Sequence, residues 1–77
     1  MFNLETANTL NNGAKILRRD ITNRLVLCHW EDKNEYVTWR VDANGNADSG
    51  CYFRNYDHAS ENYHSRLNEL WENRKPF

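Results

Sequence analysis

The sequence predicts an α+β fold: a three- to four-stranded antiparallel β-meander with one C-terminal α-helix packed on one face. Three observations predict it. Between Ala14 and Phe53, short apolar and β-branched runs are separated by polar turns, as in half-buried strands. Asn44-Gly45 sits between two such runs, the dipeptide that a tight hairpin favours. After Tyr56 the apolar spacing lengthens to steps of three and four, which is one face of a helix. With 77 residues the chain makes one domain at most. It divides into a weakly patterned segment 1–13, a sheet over 14–54 and a helix over 57–75.

In segment 1–13, Leu4, Ala7 and Leu10 lie three apart and Gly13 suits the end of a short helix; a coil or an edge segment is the alternative. AKILRRDI, 14–21, reads as the first strand and RLVLCHW, 24–30, as the second. EDKNE is a polar turn. In EYVTWRVD, 35–42, Val37, Trp39 and Val41 alternate with polar neighbours, which marks the clearest strand. SGCYF, 49–53, is the fourth. Asp57 is a good N-cap. Ala59, Tyr63, Leu67, Leu70 and Trp71 then form one stripe, so the helix proper is expected over 58–74, with Arg74 and Lys75 complementing its dipole and Pro76 stopping it.

Two-residue turns at Lys33-Asn34 and Asn44-Gly45 set a register. Trp30 then faces Val37, Cys28 faces Trp39, and Val26 faces Val41; across the second turn Trp39 faces Gly50 and Val37 faces Tyr52. Paired residues share a sheet face. One face therefore carries Val26, Cys28, Trp30, Val37, Trp39, Val41 and Tyr52. Being apolar throughout, it is expected to take the helix, with Trp39 touching or nearly touching Trp71. The other face carries Leu25, Leu27, His29, Tyr36, Thr38, Arg40, Cys51 and Phe53. It is mixed, as a solvent-facing side often is, unless residues 1–13 cover it. Cys28 and Cys51 fall on opposite faces two strands apart, beyond disulfide reach.

Composition excludes several functions. Leu, Ile, Val and Phe number only 15, a level that borders on disorder, but the net charge of −1 and the three Trp and four Tyr argue for a folded, aromatic-rich core. The same near-neutral charge lacks the basic footprint of a DNA binder. No apolar run approaches eighteen residues and no basic-then-apolar leader opens the chain, so a cytoplasmic protein without a membrane span is expected.

Candidate chemistry is sparse. Asp42, Asn44, Asn46 and Asp48 alternate like calcium ligands, but position six of such a loop would be Ala47 instead of Gly, and position twelve would be Phe53, which offers no oxygen. His58 and His64 stand about 240° apart around a helix, and no zinc spacing is present. Cys51 and His29 share a face without an acid partner or an oxyanion cradle. No catalytic residue, metal ligand or cofactor is assigned. The mixed face is the candidate binding surface, through His29, Tyr36, Arg40 and Phe53, since aromatic residues and Arg dominate interfaces. A non-enzymatic protein-binding module is the expected function. The alternative is a single-stranded nucleic-acid binder that stacks bases on the same open face.

The meander of residues 14–54 with its closing helix, in a chain with twelve Asn and a single Pro, resembles small proteins carried by phages and mobile elements, the anti-CRISPR proteins among them. The resemblance spans 14–75 as layout. It implies an inhibitor acting stoichiometrically on a host protein or defence complex. A monomer or weak homodimer is expected.

Overall fold

The computed structural model describes residues 2–73. Four strands form one antiparallel sheet in the order β1-β2-β3-β4: β1 Lys15–Asp20, β2 Leu25–Trp30, β3 Glu35–Val41 and β4 Ala47–Phe53. A single helix, α1 Tyr56–Glu72, follows. This is the expected α+β meander. Its helix starts two residues earlier than Asp57 suggests: Asn55 is the N-cap, and its side-chain oxygen accepts from the backbone N–H groups of Asp57 and His58 at 2.7 and 3.4 Å. The expected roles of Arg74, Lys75 and Pro76 lie outside the described residues.

The helix lies on the face opposite to the one expected. Ala59 and Tyr63 are buried against Leu25 and Leu27, and Leu67, Leu70, Tyr36, Phe53 and Tyr56 complete that core. The Val26, Cys28, Val37, Trp39 and Val41 face is covered instead by residues 2–14, which bring Leu4, Leu10 and Ala14 into a second core. Trp71, expected beside Trp39, is 47 % exposed and belongs to neither group of fully buried residues. The physical reason is visible in β2. Leu25, Val26, Leu27 and Cys28 are all completely buried, so this strand needs cover on both sides.

Residues 2–14 are a strap of turns. Leu4 and Leu10 are buried at 3 % exposure, each contributing roughly 1.5–3 kcal/mol of burial. The Arg19 guanidinium pins the strap, one nitrogen donating to the carbonyl oxygens of Leu4, Glu5 and Ala7 at 2.7, 3.2 and 2.8 Å. The Ile16 N–H donates to the Asn8 carbonyl, and Thr9 forms an isolated bridge with Lys15. At the far end the Asn11 amide donates to the carbonyl of Asn44.

Register departs from expectation at both hairpins, and each departure has a cause. Between β2 and β3, Val26 pairs with Trp39, Cys28 with Val37 and Trp30 with Glu35. This is two residues from the expected pairing. A 3-10 turn at Glu31–Lys33 and a left-handed Asn34 make a four-residue connection where a two-residue one was expected. A slip of two preserves the faces. Between β3 and β4, Gly45 is the loop's one left-handed residue, the Gly45 N–H reaches the Asp42 carbonyl, and the Asp42 N–H reaches that of Asn46. The loop is thus 43–45 and shifts the register by one, giving Val41 opposite Ala47. A bulge, with Ser49 at φ 55°, then restores the expected pairs Thr38–Cys51, Val37–Tyr52 and Tyr36–Phe53.

Candidate binding surfaces

His29, Tyr36 and Phe53 form one row across β2, β3 and β4; the Tyr36–Phe53 pair is the expected one, whereas His29, expected opposite Thr38, comes beside Tyr36 through the two-residue slip. The His29 and Tyr36 rings stack at 4.7 Å, and Tyr56 from the start of α1 meets Tyr36 edge-on at 5.5 Å. Arg18 Nε donates to the Tyr56 hydroxyl at 3.3 Å. Tyr36 and Phe53 thus pack against the helix-side core and all three rings are half-buried, so the expectation of an open face is corrected. Arg40 stands apart from the row. It is exposed, pairs with Leu25 and Asp48, and donates from Nε to the Asn23 carbonyl at 3.1 Å.

The middle of this face is a polar joint. Thr38 is fully buried and donates from its hydroxyl to Asn62 Oδ1 at 2.6 Å. Arg66 Nη1 donates to the Thr38 carbonyl at 3.1 Å and to its hydroxyl at 3.0 Å, and lies 3.7 Å from the Cys51 sulfur. Arg66 thus holds the helix to the sheet. The other cysteine, Cys28, lies in the strap-side core. Burial pushes its thiol up to about 12, although the Arg19 charge pulls the other way, so it stays a neutral core thiol at neutral pH. Both cysteines are free.

Asp42 organises the β3–β4 loop. One carboxylate oxygen accepts from the N–H groups of Asn44 and Asn46, both at 2.9 Å, and the other accepts from the Asn46 amide at 3.4 Å. These bonds, the Asn46 N–H foremost, hold the carboxyl below its usual range. The side chain that opened the calcium pattern is a turn residue. A folded pKa below the unfolded one means that the stabilisation is present above about pH 3.9 and is lost as pH falls through the folded value. Asp42→Ala is expected to lower the melting midpoint at pH 7, with the gap to the wild type narrowing below about pH 3.9. A gap that stays constant from pH 7 to pH 2 would show that the carboxylate charge is irrelevant to the turn. Among the described residues no group of three or more His, Cys, Asp or Glu is placed to hold a metal ion.

The exposed aromatic surface lies on the strap side, where the sequence placed core. Trp39 meets Trp30 edge-on at 5.4 Å and Tyr52 at 6.0 Å. Trp39 is 4 % exposed, whereas Tyr52, on the edge strand β4, is 53 % exposed. Trp39 also covers Gly50: a Cβ there would sit 2.6 Å from its Nε1. The expected Trp39–Gly50 neighbourhood therefore holds despite the bulge. Tyr52 was not singled out as a binding residue. Its place on the last strand is the signal that separates it from Val37 and Trp39 of the same face. A cleft of about 290 Å³ beside Trp30 mixes Lys15 with Glu31 and Asp32, and so favours no one ligand charge.

No helix among the described residues is long and apolar enough to cross a membrane. Comparison of the chain with family models, with curated proteins and with solved structures gives no match.

Proposed function

We propose that this chain is a small non-enzymatic protein-binding module, working in the cytoplasm. The observation that carries the reading is Tyr52, a half-exposed ring backed by the buried indole of Trp39. Tyrosine supplies a large contact area with few rotors, and a rigid backing lowers the entropy lost on binding. The narrowest form of the reading is a phage or mobile-element inhibitor that occupies a surface on a host defence complex; it rests on the layout of sheet and helix. Single-stranded nucleic-acid binding is the second reading. It has less support, because the helix packs against Tyr36 and Phe53, two of the rings proposed for stacking.

The test is capture from host lysate by the tagged chain, with and without nuclease, beside a Tyr52→Ala variant whose melting midpoint is measured in parallel. Nuclease-resistant capture of a host protein, weakened at least about tenfold by Tyr52→Ala, is the expected result. Capture of nucleic acid alone, or equal capture by the variant, would overturn it.

A further inference from the structure

The strap is tied down in two different ways along its length. Near its C-terminal end the ties are backbone bonds: the Ile16 N–H donates to the Asn8 carbonyl and the Leu10 N–H to the Ala14 carbonyl, both at 2.9 Å. Residues 3–7 bond first to themselves. The N–H groups of Thr6 and Ala7 donate to the Asn3 carbonyl, and that of Glu5 to Asn3 Oδ1. Their polar hold on the sheet is Arg19 Nη1, which serves the carbonyls of Leu4, Glu5 and Ala7. That nitrogen carries two hydrogens, so the three contacts share them and depend on one side chain. Gly13 has φ of 88°, and no heavy atom beyond its chain neighbours stands within 4 Å of where a Cβ would be, so the turn has room to swing.

Two features let the strap leave without unpairing the sheet. None of residues 2–14 belongs to a strand or to α1. The core between sheet and helix, built on Leu25, Leu27, Ala59 and Tyr63, takes nothing from the strap. We propose that residues 2–12 form a latch: pinned by Arg19, they swing out about Gly13 as one unit while the four strands stay paired and α1 stays in place, and the reactive group this uncovers is the Cys28 side chain. Leu4 and Leu10 leave the core in the open state, which keeps it a minor one.

The motion separates the two ends of one residue. The Cys28 thiol faces the strap and needs only the latch to open. The Cys28 amide lies in the ladder between β1 and β3 and needs the sheet to come apart. Burial pushes the closed thiol up to about 12; opening removes that burial and leaves the Arg19 charge, which pulls the thiol down, in place on β1. An inert core thiol becomes a nucleophile each time the latch opens.

The inference stands apart from the protein-binding reading, and its test uses no partner. In the full chain carrying Cys51→Ser, one thiol remains. Its labelling is followed with dithiobis-nitrobenzoate: the thiolate, its proton lost to solvent, attacks one sulfur, forms a mixed disulfide and releases thionitrobenzoate. The amide of the same residue is followed by hydrogen exchange, and each rate is compared with that of an unstructured peptide. The thiol is expected to be at least about tenfold less protected than the amide. Arg19→Met, which keeps most of the stem and removes the donors, is expected to lower thiol protection at least about tenfold more. Leu67→Ala, which weakens the helix-side core, is expected to speed amide exchange and leave thiol labelling as it was. Equal protection of thiol and amide overturns the inference, since both then report global unfolding. So does labelling indifferent to Arg19→Met, or labelling that quickens together with amide exchange in Leu67→Ala. Where Arg19→Met does not fold, the thiol–amide comparison and Leu67→Ala still decide the matter.

Discussion

Trp39→Ala is expected to lose about 3–5 kcal/mol, measured as a fall in the urea midpoint of the purified chain. Trp39 is 4 % exposed and makes edge contacts with Trp30 and Tyr52, and its ring covers Gly50. Removing it opens a cavity under the strap and leaves a bare glycine on the edge strand. The total stability of a domain this size is on the order of 4–12 kcal/mol, so the variant stands at or beyond the limit of folding. Trp71→Ala is the matched comparison. Its ring is 47 % exposed on α1, and the expected change is within about 0.5 kcal/mol. Equal losses for the two would contradict the placement of the helix on the Leu25–Leu27 side. A cooperative transition of Trp39→Ala at the wild-type midpoint would contradict the strap-side core itself.

Gly45→Val is expected to be the next most damaging change, for two separate reasons. Gly45 has φ of 86°, where a β-branched residue is strained by roughly 1–3 kcal/mol. A Cβ at this position would also meet the Phe2 ring at 2.6 Å, so the start of the strap must move as well. Gly45→Ala in a chain that also carries Phe2→Ala separates the two terms, because it removes the ring and keeps the backbone strain. Thermal melts of the single and double variants should show a smaller loss for Gly45→Ala when Phe2 is already absent. Losses of the same size in both backgrounds would mean that the ring can yield freely. Added calcium should shift none of these midpoints, since the Asp42 carboxylate is already bonded to the loop's own N–H groups.

Much of this fold was legible because strands and helices advertise different periods. The four strands and the helix stripe fall where alternation and three-four spacing put them. The side of the sheet taken by the helix was not, and one short stretch explains why. LVLC in β2 has no alternation. Such a run signals a strand buried on both faces, but by itself it cannot say which cover comes from which end of the chain. The Leu-Ala-Leu spacing of segment 1–13 reads as a short helix or a coil; the segment is a strap whose leucines are core. The hairpin errors have a different origin. Asn34 and Ser49 adopt positive φ without being glycine, a choice that propensity hardly foresees. The two-residue slip kept every side chain on its expected face, and the bulge undid the one-residue slip, so the face assignments survived. The candidate site followed the same pattern. Tyr36 and Phe53 pair as read, His29 joins them only through the slip and Arg40 stands apart; whether such a row of rings is surface or core depends on the helix's side, and that information was missing.

The double cover of β2 has a consequence for how the molecule breathes. This strand has a neighbour on each edge, the strap above it and α1 below. The ends of the strap, the β3–β4 loop and the last turn of the helix can fray without touching it. Its amides have no such partial route to solvent: releasing them requires both covers and a neighbouring strand to leave together, which is close to global unfolding. The residues LVLC are thus the clock of the whole domain, the place where local opening and complete loss of structure become the same event.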